Sequence, residues 1–439
     1  MDGSYPKLLE GWRNWRGFIS VSARGLEGEI PPEIGGLSYL KVLDLCGTRI
    51  CHVPSTINML SCLSTLDLTS CNEITELPEL PASLVILRVE SRSLQVVPNL
   101  SNLSNLEELF LSDGADYGVL PYGSECRLRR CDLGWIGRLS KLKKFELRLF
   151  NVAAPPTELG DLSLLENLSL HRLDLQALQL LPPSLSYLKL DNLNTGVSQL
   201  SNLKFLSSLT LCFSKLREIE LNGLLQLHRL SLTACLLKRL SIPSSLRTLS
   251  VFNCPKLMEI TGMLESLEEL SIHSCNSFER LGCDEVGSLG VLDPSESSSS
   301  ALSCYAPGVL LTDALKKLKR LEMIRCEGLV EIRVVGMLLS LQDVIIRNCD
   351  GMEKFSISPL KNLQNMVISD CRKLRVVEGL DELEFLVNLE LSRCPSLEIS
   401  LDISNSKIQD KCLIKVCQCG ESLGTSHHRT FKRYKKMIL

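Results

Sequence analysis

The stretch LESLEELSI at residues 264–272 contains the pattern on which the fold depends: apolar residues three apart, followed by a closing pair two apart. The same Leu-x-x-Leu-x-x-Leu-x-Leu pattern returns as LSCLSTLDL at 60–68, LLQLHRLSL at 224–232 and LKKLKRLEM at 315–323. We call the first residue of each closing pair the ladder residue and count other positions from it. The ladder residues are Leu43, Leu66, Leu87, Leu109, Phe145, Leu168, Leu188, Leu209, Leu230, Leu249, Leu270, Leu321, Val344, Met366 and Leu389.

The ladder residues recur at a nearly constant interval. Twelve of the fourteen intervals between them are 19 to 23 residues long, and the other two are 36 and 51. This period is typical of leucine-rich repeats, in which each repeat supplies one short strand and a return segment. Ile19 and Val21 fit an incomplete first repeat further upstream.

The spacing of the leucines also predicts how the repeats pack. Alternate residues of a strand face opposite ways, so Leu66 and Leu68 face the core while Asp67 faces outward. One repeat cannot bury its own leucines, and therefore successive strands must stack about 4.8 Å apart. We predict an α/β solenoid: a leucine-rich-repeat horseshoe with a parallel β-sheet on the concave face and irregular or short helical return segments on the convex face.

The repeat intervals also predict the domain organisation. Residues 1–16 form an N-terminal flank, and residues 17–400 form one solenoid of about 15–16 repeats. The two long intervals predict surface insertions near 112–137 and 282–313, the second of which contains the polar run DPSESSSS. Residues 401–439 are predicted to be a basic C-terminal tail.

Composition and charge restrict the function classes. Of the 439 residues, 44% are hydrophobic and 23% charged, as in ordinary globular proteins, and no apolar run reaches the ~18 residues of a membrane span. Residues 405–439 hold eight Lys/Arg against two Asp/Glu, a net charge of +6, so the overall charge of −3 leaves −9 for residues 1–404. An acidic body argues against nucleic-acid binding, except weakly through the basic tail.

Cysteine occupies one position of the repeat. The fifth residue after the ladder residue is Cys71 in an early repeat and Cys235, Cys254, Cys275, Cys326, Cys349, Cys371 and Cys394 in the last seven. Cysteine is a small buried group with a weak S–H donor, so we predict reduced thiols that pack in the core. Thiols along a flat ladder do not converge tetrahedrally, and we predict no metal site there.

We find no catalytic signature in the sequence. The phosphate loop, the dinucleotide fingerprint, HExxH and GxSxG are all absent. His171 and His273 occupy outward strand positions, and neither has an obvious carboxylate or nucleophile at useful spacing, so we predict solvated side chains. The sequence therefore indicates a protein that is not an enzyme and has no cofactor.

Binding through the outward residues of the sheet is the function that this architecture serves most often. Aromatic and arginine side chains anchor protein interfaces. Three arginines on two adjacent repeats, Arg320, Arg325 and Arg347, could form a basic spot for an acidic partner. Glu322 and Asp343 lie among them and partly cancel this charge, so we expect a self-neutralised surface. The candidate protein-binding residues are Phe110, Arg148, Lys189, Phe213, Arg229, Phe252, His273, Arg320, Ile324, Arg325 and Arg347.

The repeats resemble a known family. The run LSYLKVLDLCGTRICHVPSTINMLSCLSTLDLTSCNEITELPELPASL at 37–84, with the later CxxLxxI repeats, is similar to the leucine-rich-repeat region of plant nucleotide-binding disease-resistance proteins of the TIR type. The resemblance implies a cytoplasmic or nuclear module of innate immunity that senses pathogen effector proteins or restrains a nucleotide-binding switch domain. TIR and nucleotide-binding domains are missing here, so nucleotide switching and NAD cleavage are not implied.

A second interpretation remains open. Cysteine-bearing repeats also occur in free-standing intracellular adaptors, such as the substrate receptors of ubiquitin ligases. Residues 1–16 are too short to hold the helical F-box-like segment expected ahead of such repeats. The sequence does not indicate an oligomeric state.

Overall fold

The computed structural model describes residues 20–22, 26–114, 131–149, 152, 157–171, 181–191, 200–282, 308–357, 360–398, 408 and 412–417. The chain divides into two compact units, unit 1 (Met1–Thr195) and unit 2 (Gly196–Leu439). The described part of each unit consists of short parallel strands joined by turns and short 3-10 helices.

Unit 1 stacks its repeats on one parallel sheet. Its strands are β1 (Ser20–Ser22), β2 (Glu27–Glu29), β3 (Val42–Asp44), β4 (Arg49–His52), β5 (Thr65–Leu68), β6 (Ile86–Glu90), β7 (Glu108–Ser112), β8 (Lys144–Arg148), β9 (Asn167–His171) and β10 (Tyr187–Asp191). The main sheet runs in the order β1, β3, β5, β6, β7, β8, β9, β10, and its neighbouring strands are parallel. Strands β2 and β4 form a separate parallel pair.

Unit 2 carries two parallel sheets. Its strands are β11 (Ser208–Cys212), β12 (Arg229–Thr233), β13 (Arg239–Ile242), β14 (Thr248–Phe252), β15 (Glu259–Gly262), β16 (Glu269–His273), β17 (Arg280–Leu281), β18 (Gly308–Leu311), β19 (Arg320–Ile324), β20 (Glu331–Val334), β21 (Asp343–Arg347), β22 (Lys354–Ser356), β23 (Asn365–Ser369), β24 (Val376–Glu378), β25 (Asn388–Ser392) and β26 (Leu413–Cys417). The main sheet runs β11, β12, β14, β16, β19, β21, β23, β25, β26. The second sheet runs β13, β15, β17, β18, β20, β22, β24.

The strand register confirms the predicted ladder in each unit. In unit 1 the pairing aligns Val21 with Leu43 and continues along the predicted ladder residues to Leu188. In unit 2 the pairing aligns the ladder residues from Leu209 to Leu389. Leu270 pairs with Leu321 although 51 residues separate them in sequence. The predicted ladder residues are at most 1% exposed, so each adds its full apolar area to a continuous core.

The turn that follows each main-sheet strand explains the cysteine position. The residue before the cysteine has a positive φ, for example 53° at Asn253 and 54° at Asn348. This left-handed residue turns the chain so that the next side chain points back into the core, and the cysteines there are buried. Several thiols bond carbonyl oxygens of the preceding repeat, as between Cys71 Sγ and Leu45 O at 3.0 Å.

Burial raises the pKa of several of these thiols, whereas the hydrogen bond with a neighbouring cysteine lowers the pKa of Cys275 and Cys394. Burial raises the pKa of the Cys71 thiol, and the neighbouring Cys254 thiol together with burial raises that of Cys235. Because the protonated form is the one that donates a hydrogen bond, the thiols can fill the polar role of the turn.

The return segments differ between the two units. Unit 1 contains the 3-10 helices Pro32–Gly36, Ser55–Met59, Gly134–Arg138 and Thr157–Asp161. Unit 2 contains Leu200–Asn202, Asp313–Leu315 and Leu380–Glu382, together with the second sheet. In the CxxLxxI segments both apolar residues are buried, as with Leu257 and Ile260, and the second lies on a strand of the second sheet. The helical content of the described residues is therefore small.

The structure moves two of the predicted boundaries, the end of the 282–313 insertion and the start of the 401–439 tail. Strand β18 and the helix Asp313–Leu315 lie at the end of the segment 282–313 that we predicted as a surface excursion. Val309 and Leu311 there are fully buried, and β18 adds a strand to the second sheet between β17 and β20. Strand β26 pairs with β25, so the main sheet extends past residue 400 into the predicted tail. Residues 1–16, 115–130 and 283–307, and 418–439 of the tail, lie outside the described residues.

Candidate functional site

The outward face of the main sheet holds the candidate binding residues. Phe110, Arg148 and Lys189 lie on unit 1 strands. Arg229, Phe252, His273, Arg320, Ile324 and Arg347 lie on unit 2 strands. Phe213 and Arg325 follow the ends of β11 and β19 at the left-handed turn position, with φ of 50° and 55°, and therefore belong to the edge of the sheet.

In unit 2 the third position after the ladder residue forms a continuous row. The register places Phe252, His273, Ile324 and Arg347 side by side on β14, β16, β19 and β21. The rings of Phe252 and His273 meet edge to face, with centroids 6.2 Å apart. Phe252 is 50% exposed, so this row presents apolar surface to solvent.

The strip beside this row is small and polar. The first position after the ladder residue is Thr210, Ser231, Ser250 and Ser271 on β11 to β16, in register. Short side chains leave the larger residues of the third position standing above the sheet. The surface is therefore lower at the first position than at the third, and an extended partner segment could lie along this difference in height.

The arginines of unit 2 are less neutralised than we expected. Glu322 Oε2 accepts from Ser271 at 3.5 Å, and Asp343 Oδ1 accepts from the Asn365 amide at 2.6 Å. In the described part of the chain, no carboxylate oxygen lies within ion-pair distance of Arg320, Arg325 or Arg347. All three side chains are exposed, and Glu322 and Asp343 form no ion pair with them in the described part of the chain.

Two arginines on the main sheet of unit 1, Arg88 and Arg148, form ion pairs. Arg88 lies 3.3 Å from Asp67 and 3.1 Å from Glu108, bridging β5, β6 and β7. Arg148 donates from Nε to Glu146 at 2.7 Å and stacks over Phe110, 5.3 Å from the ring centroid. Phe110 and Arg148 thus stabilise each other across neighbouring strands.

His171 occupies a buried ionic cluster, which corrects our prediction of a solvated side chain. It is 2% exposed, and its Nδ1 lies 3.0 Å from Asp191 Oδ2 on the next strand. Its Nε2 lies 3.1 Å from Ser169 Oγ and 3.6 Å from Glu146 Oε1 on the preceding strand. The imidazole therefore joins β8, β9 and β10, and Arg148 bonds the same Glu146.

Ser169, His171 and Asp191 contact one another in the way that the three residues of a hydrolase triad do. Here, however, Glu146 places a second carboxylate beside the histidine. A triad histidine must be neutral at Nε2 to accept the serine proton. Glu146 Oε1 lies 3.6 Å from this same nitrogen, so Nε2 faces a carboxylate as well as the serine hydroxyl. Ser169 is also only 7% exposed. This geometry favours a structural cluster that ties three strands together.

Glu146 gives this cluster a pH dependence. Burial opposes its ionisation, but His171 and Arg148 outweigh burial and lower its pKa from 4.5 to about 2. A depressed carboxylate pKa stabilises the fold fully above the unfolded pKa, and this contribution is lost as the pH falls toward the folded pKa. We expect Glu146→Gln to lower the free energy of unfolding by up to about 3 kcal/mol at pH 7. The wild type should lose this advantage between about pH 5 and pH 2, as measured by urea unfolding; parallel pH profiles would contradict the assignment.

A group of potential metal ligands lies at the start of the unit 1 sheet. Ligand atoms of Asp44, Cys46 and Asp67 lie within 4.8 Å of one another. Asp67 Oδ1 already accepts from the Thr69 hydroxyl at 2.6 Å, and its Oδ2 pairs with Arg88. Its carboxylate is thus used by the protein itself.

Part of this chain is similar in sequence to known plant proteins. No family model matches it. It is 41% identical over 87 residues to TMV resistance protein N of Nicotiana glutinosa, which is 20% of this chain and 8% of that protein. It is 33% identical over 122 residues to SUPPRESSOR OF npr1-1, CONSTITUTIVE 1 of Arabidopsis thaliana, which is 27% of this chain and again 8% of that protein. The chain thus spans a small part of the length of these curated relatives.

This is a leucine-rich-repeat chain similar to plant resistance proteins. Solved structures of similar fold include a leucine-rich-repeat protein of Leptospira interrogans (18% identity, 94% of this chain and 100% of that one, TM-score 0.47). They also include InlJ of Listeria monocytogenes (13% identity, 86% and 70%, TM-score 0.48), whose functional domain includes a cysteine ladder. Within the described residues, no helix is long and apolar enough to cross a membrane.

Proposed function

We propose that this chain is the recognition module of a plant innate immune receptor, which binds a pathogen effector protein or restrains a nucleotide-binding switch domain. The 87-residue stretch at 41% identity to a plant resistance protein carries the immune part of the proposal. The protein-binding part rests on the leucine-rich-repeat solenoid, whose exposed sheet serves as an interaction scaffold.

The exposed face of unit 2 supports protein binding by its residue types. Phe213 and Phe252 are 47% and 50% exposed, and exposed arginines lie on other strands of the same main sheet. Aromatic and arginine residues supply most of the large contributions to protein interfaces. A cytoplasmic or nuclear location belongs to the same proposal, because the buried thiols stay reduced there.

The proposal is tested by co-expressing the full chain with the TIR and nucleotide-binding portion of a plant resistance protein in leaf tissue. Co-precipitation and signalling by that portion are the two measurements. We expect the chain to associate with it and to lower its constitutive signalling, and Phe213→Ala/Phe252→Ala to weaken the association about tenfold or more.

The control removes exposed apolar side chains elsewhere in unit 2. Leu225 and Val335 are 77% and 66% exposed and lie outside the main-sheet strands. Leu225→Ala/Val335→Ala should change the association less than twofold. Failure of the chain both to associate and to alter signalling would refute the immune role, and an equal loss in both double variants would refute the role of the sheet face.

A further inference from the structure

The row and turn residues of β14 to β21 combine exposed arginines with apolar side chains at one edge of the main sheet. We call the residues Phe252, His273, Ile324, Arg325 and Arg347 the arginine edge. Ile324 and Arg347 are register partners on adjacent strands, and Arg325 follows Ile324 directly. Both arginines are exposed, and no carboxylate of the described residues pairs with either.

The acidic residues that surround the arginine edge already have other partners. Asp370 pairs with Arg393 at 2.8 Å, and Glu390 pairs with Lys415 at 2.9 Å. Glu322 Oε1 faces His273 Nε2 at 3.7 Å. The charge of Arg347 helps to lower the pKa of Glu390, but no carboxylate oxygen of the described residues lies within ion-pair distance of Arg325 or Arg347, so both keep donors for a carboxylate from outside.

We propose that the arginine edge binds an acidic segment of a protein partner, with an apolar side chain of that segment against Phe252 and Ile324. This inference rests on the proposed protein-binding function and names the chemistry of the partner. Bidentate guanidinium–carboxylate bonds fix the segment, and the exposed Phe252 ring supplies the apolar contact.

The spacing along the edge predicts the pattern of the bound segment. Phe252 and Arg347 are three strands apart, or about 14 Å at ~4.8 Å per strand. An extended chain advances about 3.3 Å per residue. The partner therefore carries an aspartate or glutamate about four residues from an aromatic or aliphatic side chain.

A protein fits this face better than a nucleic acid does. The same main-sheet face carries Glu269, Glu322, Asp343 and Glu390, which repel a phosphate backbone running across the strands. A segment with a few local carboxylates meets the arginines without crossing those acids. Apolar surface at Phe252 and Ile324 also favours a peptide side chain.

The test is a selection of random twelve-residue peptides displayed on phage, with the full chain as bait. The wild type should enrich peptides with the acidic and apolar spacing given above. Arg325→Glu/Arg347→Glu should weaken the best selected peptide about tenfold or more in fluorescence polarisation and should itself select lysine and arginine at the acidic positions. Arg280→Glu/Arg375→Glu carries the same charge change on exposed residues outside the main sheet and should change binding less than twofold.

A second measurement needs no variant. Binding of the selected acidic peptide to the wild type should weaken about tenfold between 50 and 300 mM salt, because charge pairs at an exposed edge are screened. The proposal is overturned if the selected peptides are not acidic, or if they bind Arg325→Glu/Arg347→Glu as well as the wild type; the proposed protein-binding function would survive both results. Tighter binding of polyuridine RNA, with the same arginine dependence, would overturn it in favour of a nucleic acid.

Discussion

Replacing Leu249 with alanine lowers the free energy of unfolding by about 2–5 kcal/mol in urea denaturation. Leu249 is fully buried and is the ladder residue of β14, aligned with Leu230 and Leu270 on the neighbouring strands. The deletion removes apolar burial and leaves a cavity that two adjacent repeats must share. A repeat core closes poorly over such a cavity because each strand is held in register from both sides.

Ser250 is the matched control one residue further along the same strand. It lies in the small polar strip of the outward face and is half-buried. Ser250→Ala should change the free energy of unfolding by under about 0.5 kcal/mol. A comparable loss at the two positions would show that the inward and outward assignment of the strand is wrong.

Replacing His171 with alanine lowers the free energy of unfolding by about 3–5 kcal/mol at pH 7. The change leaves Asp191, which is 4% exposed, without its imidazole partner and removes one of the two side chains that lower the pKa of Glu146. A buried carboxylate that loses its partner keeps its desolvation cost without compensation.

His273 provides the matched comparison, because it occupies the same repeat position in unit 2. Its side chain is 27% exposed, and its charged neighbour Glu322 is 3.7 Å away. His273→Ala should cost about 1 kcal/mol, chiefly through its edge-to-face contact with Phe252. If urea denaturation shows equal losses for the two histidine variants, the ionic cluster does not stabilise the protein.

Periodicity predicted the core of the molecule. The ladder from Leu43 to Leu389 and the buried cysteines after the strands follow from spacing alone, because each repeat must place its apolar residues against the next. One later strand was missed. Ile414 aligns with Leu389, and the signal for it was the pair Ile414 and Val416 about one period downstream.

The sequence did not predict the second sheet of unit 2. Leu257 and Ile260 are the apolar residues of one CxxLxxI repeat, and apolar residues three apart are compatible with a helix or an irregular turn as well as with a strand. Pairing between neighbouring return segments makes Ile260 part of a strand. That decision depends on contacts between repeats and not on local propensity.

The ionic cluster at His171 was missed for a related reason. Asp191 lies 20 residues from His171, which is outside any local motif but one repeat away. In a solenoid, residues one period apart are spatial neighbours, and a search at the repeat interval would have paired them. Closeness in sequence was also a poor guide in unit 2. Glu322 and Asp343 are close in sequence to arginines, yet they accept hydrogen bonds from Ser271 and Asn365 on neighbouring strands.

Amide hydrogen exchange of the full chain, resolved to single residues, tests the central claim that in-register ladders form the core of each unit. We predict slow exchange in five-residue blocks at Ser208–Cys212, Arg229–Thr233, Thr248–Phe252 and Glu269–His273, resuming at Arg320–Ile324 across the long interval. Protection in continuous stretches of ten or more residues, with the ladder leucines at helical spacing, would contradict the account.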